Sequence, residues 1–111
     1  MKSIKRATII VGVLSFFAVE AFATTAWISN EEITGIWVMP NRNKFFFKLS
    51  GGDTHSKLWV DADEKDTIAF ILSAHANGTK VSVQWTDDNA YVPWTSWGTA
   101  YSISNIRTAA W

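Results

Sequence analysis

Few groups in this chain are able to do chemistry. Cysteine is absent, and His55 and His75 are the only histidines. A catalytic triad or a histidine-built metal site therefore has almost nothing to be made from. His75 falls in a helical pattern, which gives it a packed or surface role. His55 falls in Gly52-Asp53-Thr54-His55, a loop whose polarity reads as solvated. The acid-rich stretch Asp61-Ala62-Asp63-Glu64-Lys65-Asp66 matches a calcium loop only in acid density, because the glycine and closing glutamate of an EF-hand are not at their required spacings. Helix capping accounts for these acids, and a turn accounts for Asp87-Asp88-Asn89. Catalytic residues, metal ligands and cofactors are not expected, so the chain reads as a protein that binds rather than catalyses.

The candidate ligand-binding residues are aromatic. Tyr91, Trp94 and Trp97 fall within 87–98, a segment otherwise rich in polar residues that should face water. Exposed rings are a feature that a binding site explains. Flat rings stack on the apolar faces of sugars, and Asn89, Thr95 and Ser96 can hydrogen-bond hydroxyls. Glycan is thus the first ligand class. The alternative is a structural or protein-interaction module, in which the same rings cap an open barrel end or fill a subunit or partner interface.

The elements that must position these residues are mostly strands. Residues 24–31 read as a loose leader or short edge segment. A run rich in β-branched and aromatic residues spans 33–39, and Pro40-Asn41-Arg42-Asn43 closes it as a hairpin turn. In 44–49, Phe45, Phe47 and Leu49 alternate with Lys44, Phe46 and Lys48, which leaves Phe46 half exposed or at an interface. A short third strand covers 57–60. Next comes a helix, capped by Asp61 or Asp63 and stopped by Asn77-Gly78, with Ile68, Ile71, Leu72 and His75 on one face. Ile68, Ile71 and Leu72 are expected to pack on Phe45, Phe47, Val81 and Val83. Strand alternation returns in 80–86 and again from Thr99, with a phase shift near Asn105 that a bulge would cause. Five strands with one helix between the third and fourth is the order of a small Greek-key OB barrel, so the expected class is mainly β and OB-like.

Residues 1–23 have the form of a cleavable secretory signal peptide. Lys2, Lys5 and Arg6 precede an apolar run over 7–19, and Ala21-Phe22-Ala23 ends it with small residues at the two positions a signal peptidase reads. The apolar run is too short to cross a bilayer as a helix. The expected domain is 24–111, exported to the periplasm or secreted, with no membrane span. That domain keeps seven basic and nine acidic residues, scattered without a basic stripe, which argues against nucleic acid as a partner. A domain of this size without disulfides leans on dense aromatic packing or on self-association, so a homo-oligomer is expected.

Three stretches resemble the pentameric B subunits of subtilase-cytotoxin and pertussis-like toxins, and equally a set of short secreted bacterial proteins. They are Ile33-Thr34-Gly35-Ile36-Trp37-Val38, the strand with Phe45-Phe46-Phe47, and the passage from Ile71-Leu72-Ser73 through Asn77-Gly78 to Val81-Ser82-Val83. The resemblance implies an OB-fold, a five-membered ring and a sialylated-glycan site near a serine of the first strand. Thr34 falls at the place of that serine and keeps the hydroxyl. Ser82 stands where some of those subunits carry a basic residue, and their disulfide cysteines are absent here.

Overall fold

The structure is a computed structural model that describes residues 24–93 and 97–109. The expected signal peptide and the end of the last expected strand, Ala110 and Trp111, lie outside the described residues. Among the described residues the fold is mainly β, with six strands in one sheet and one α-helix. The strands are β1 (Thr25–Glu31), β2 (Ile33–Met39), β3 (Lys44–Leu49), β4 (Lys57–Asp61), β5 (Val81–Tyr91) and β6 (Ala100–Thr108), with helix α1 (Lys65–Asn77) between β4 and β5. The order across the sheet is β1-β5-β6-β4-β3-β2. All neighbours are antiparallel except β4 and β6, which are parallel.

Five expected strands become six, because 25–31 pairs along β5 from Thr25 opposite Thr86 to Ile28 opposite Val83. Ile28 is the one buried residue of β1, so the stretch lacks the repeated alternation that marks a strand in a sequence. Nor is the sheet hydrogen-bonded into the closed barrel that was expected. Its two edges, β1 and β2, are consecutive in the chain and separated by Glu32 alone.

Local chemistry explains the turn after β2 and the end of α1. Pro40 opens a 3-10 turn, and Asn43 closes it in the left-handed conformation (φ 56°), with its N–H donating to the Pro40 carbonyl. Gly78 ends α1 at φ 63°, a value glycine reaches without a Cβ penalty, and its N–H donates to the carbonyls of Ala74 and His75. The start of α1 differs from expectation. Glu64 holds the N-cap position, and neither Asp61 nor Asp63 supplies a side-chain cap; the Asp61 and Asp63 carbonyls instead accept from the N–H groups of Glu64 and Lys65. The expected bulge in the last strand is present: Gln84 faces Asn105 and Trp85 faces Ile103, which leaves Ser104 as the extra residue.

The inner face of the sheet packs on α1. Phe45, Phe47, Val81 and Val83 form a single core with Ile71 and Ala74, and Ile68 packs against it. Leu72 is not part of this core, contrary to expectation, and is 46% exposed. Ile71 and Leu72 are about 100° apart on the helix, and the sheet meets the side carrying Ile71 and Ala74. Phe46 is the second correction. It is fully buried although it alternates with lysines, because the outer face of the sheet carries a cluster of its own.

Candidate functional site: an aromatic face and an adjoining polar cleft

Strand alternation turns Phe45, Phe47, Leu58 and Val60 inward and their neighbours outward. The outward residues of β2, β3 and β4 stand in three cross-strand rows. Trp37 faces Phe46, which faces Trp59; Gly35, Lys48 and Lys57 form the row on one side, and Met39, Lys44 and Asp61 the row on the other. Trp37 stacks on Phe46 with ring centroids 4.9 Å apart.

The last residue of β5, Tyr91, and Trp97 before β6 lie against the middle row. Tyr91 lies 6.0 Å from Phe46 and 6.4 Å from Trp59, and Trp97 meets Trp37 and Phe46 edge-on at 5.3 Å from each. Such pairs contribute about 0.5–1.5 kcal/mol each beyond their buried area. Three cations hold the segment down. The Arg42 guanidinium donates to the Tyr91 hydroxyl at 2.7 Å. Lys44 Nζ sits 4.2 Å from the Trp59 ring and 5.5 Å from Tyr91, and 3.3 Å from the Asp61 carboxylate. Lys57 Nζ donates to the Trp97 carbonyl at 2.5 Å and lies 5.4 Å from its ring. Trp59 Nε1 donates to the Asn89 carbonyl at 3.2 Å.

Of the expected ligand-binding residues, Tyr91 and Trp97 are brought together on Phe46. They are half-buried rather than water-facing, since one side of each ring is spent on the sheet. Asn89 is exposed in the left-handed region (φ 65°). Trp94, with Thr95 and Ser96, lies outside the described residues. Thr34 is the extra residue of a bulge between Ile33 and Gly35, and its Oγ1 donates to the Lys48 carbonyl at 3.3 Å. It stands one residue from a cavity of about 120 Å³ lined by Gly35, Trp37, Phe46, Lys48 and Trp97, among others. The sequence reading missed Trp37, Trp59 and the three cations. Its available signal was Phe45-Phe46-Phe47, an uninterrupted aromatic run that fits a strand buried on both faces.

A larger space lies beyond Trp59. The parallel strands β4 and β6 pair only at Leu58 with Tyr101 and at Trp59 with Ser102. Past these pairs a cleft of about 480 Å³ opens, lined by Trp59, Asp61, Glu64, Thr67, Asn89 and the 102–106 stretch of β6. Asn89 therefore joins the aromatic face to the cleft.

His55 is not solvated as expected. Its ring lies flat on Trp85 at 3.6 Å and 2°, with Tyr101 at 4.6 Å. Asp53 Oδ1 accepts from the His55 backbone N–H at 2.7 Å and lies 3.0 Å from its Nδ1. The backbone hydrogen bond is the main reason that the Asp53 carboxyl is held below its ordinary pKa; partial burial opposes it, and the contact with the His55 ring adds to it. The group covers a core tryptophan. Among the described residues no set of three His, Asp or Glu side chains is placed to hold a metal ion, and no helix is long and apolar enough to cross a membrane. Comparison with protein-family models, curated proteins and solved structures finds no match for this chain.

Proposed function

We propose that this is an exported, non-catalytic binding module with an OB-like fold, whose ligand is a glycan taken on the outer face of β2, β3 and β4. The OB-like reading rests on connectivity. β1 and β2 behave as one bent strand joining the two sheet edges, β4 and β6 are the parallel pair, and α1 enters between β4 and β5. In OB-folds the second- and third-strand face and the adjoining loops receive oligosaccharides and oligonucleotides. The corresponding face here is β3 and β4, bordered by the 40–43 turn and the 87–98 segment. A net acidic domain makes nucleic acid the poorer choice. The likeness to toxin B subunits, the signal peptide, and a periplasmic or secreted location belong to the same proposal.

One observation carries the glycan reading. Trp37 and Trp97 are half-exposed, with ring planes inclined at 66° beside Lys48, on a surface where Phe46 is already sealed. Partly exposed apolar surface rimmed by polar side chains is what a ligand-binding groove presents. The test is a glycan array with the mature chain, followed by titration of Trp97→Phe. That variant keeps a ring against Phe46 but offers sugar a smaller face, so affinity should fall several-fold while the melting temperature stays nearly constant. No binding to any glycan at high protein concentration would reject the reading. A second reading, a self-associating or protein-interaction module, is favoured by the exposed Trp27, Val38, Leu72 and Val92. In that case the domain is a homo-oligomer, with the exposed apolar side chains in its interface.

A further inference from the structure

We infer that the cleft between β4 and β6 is a saccharide subsite that accepts a neutral or amino sugar ring and disfavours anionic sugars. It deepens the glycan reading above and depends on it. The volume, about 480 Å³, lies within the range of small-ligand sites and exceeds the small cavity beside Trp97 several-fold. The lining suits a polyhydroxylated ring. Ser102 Oγ donates to the Asp88 carbonyl, Ser104 Oγ has the Gln84 backbone carbonyl at 3.3 Å and Gln84 Oε1 at 3.1 Å as acceptors, and Asn105 Nδ2 donates to Gln84 Oε1. Each hydroxyl oxygen thereby keeps an acceptor site, and its orientation is fixed by β5. Beyond Ser102, the edge of β6 that faces the cleft has no strand pairing with β4, so peptide groups also line the space. A site built to bond hydroxyls discriminates strongly, since its polar groups go unpaired when the wrong ligand enters.

Charge sets the selectivity. Asp61 and Glu64 both line the cleft; Asp61 is bonded to Lys44, and the Glu64 carboxylate has no ion-pair partner among the described residues. A carboxylate ligand would add a third negative charge to two acids and one cation. An amino sugar would bring the missing positive charge, and a neutral ring can donate hydroxyls to both acids. Asn89 places this cleft directly beside the aromatic face, because its backbone carbonyl holds Trp59 while the residue itself lines the cleft.

The test is amide chemical-shift mapping of the mature chain with the methyl glycosides of galactose, N-acetylglucosamine and glucosamine, and with sialyllactose. The neutral or amino sugars should shift the amides of Thr67 and of residues 102–105. Sialyllactose should bind there several-fold more weakly, with the gap narrowing as salt is added, because its carboxylate meets Asp61 and the exposed Glu64. Glu64→Gln should remove the preference for glucosamine and narrow the gap to sialyllactose. Ser104→Trp should fill the cleft and abolish these shifts while the melting temperature is held. Shifts confined to Trp37, Lys48 and Trp97 would overturn the cleft subsite and leave the aromatic face standing. Equal affinity for sialyllactose in the cleft would overturn the selectivity. Silence of every amide toward every sugar would overturn both this inference and the glycan reading.

Discussion

Ile71 and Leu72 are neighbours of nearly equal size with opposite fates. Ile71 is fully buried between α1 and the inner face of the sheet, and Leu72 faces outward. Ile71→Ala should cost about 2–5 kcal/mol, from lost transfer energy and the cavity left behind. Leu72→Ala should cost less than about 1 kcal/mol, since little area is withdrawn from a packed surface. Urea unfolding of the two variants checks the pair. Asp53 gives a pH-dependent counterpart. Its carboxyl is held below its ordinary pKa in the folded chain, chiefly by the His55 N–H, so the unfolded chain binds more protons in acid. The contribution is present above the ordinary carboxyl range and disappears as pH falls through the depressed native value. Asp53→Asn should therefore flatten the loss of stability as pH falls below the ordinary carboxyl range, by a small amount because the group is exposed. Urea midpoints across that range give the measurement.

At the scale of elements, the helix stop and the two-faced strand matter most. A Cβ built on Gly78 would meet nothing within 4 Å, so the cost of Gly78→Ala comes from its positive φ alone. About 1–2 kcal/mol is expected, read as a lower thermal midpoint with unchanged native spectra. Lys44–Leu49 is the strand on which both faces of the sheet depend. Phe45 and Phe47 serve the inner core, while Phe46 anchors the row that receives Tyr91 and Trp97. β5 overruns its expected end at Thr86 by five residues, to Tyr91. Residues 87–90 fall between the last two β6 pairings, at Thr86 and Tyr91, which lets Asn89 reach both Trp59 and the cleft.

For the whole molecule, the exposed apolar side chains bear on assembly. Leu72, Val38 and Trp27 lie on α1, β2 and β1. On the self-associating reading, sedimentation of the mature chain should give a mass that is a multiple of the monomer's. Leu72→Asp combined with Val38→Asp should dissociate it without unfolding, as both positions face solvent in the single chain. A monomeric mass at high concentration would remove the self-associating reading. The sequence by itself determined the mainly β class, the hairpin turn at 40–43, the helix stop at Gly78 and the bulge beside Asn105, because each rests on contacts or dihedrals within a few residues. It also picked out Tyr91 and Trp97 as aromatics of interest, from composition alone. Only the tertiary structure decided that β1 is a strand, that Ile71 and not Leu72 enters the core, and that Phe46 is sealed among lysines. Each of these depends on which element covers which face, and that is set by packing between residues far apart in the chain. The cleft belongs to the same class: it exists because two parallel strands part after Trp59 and Ser102, and no local pattern in either strand records the separation.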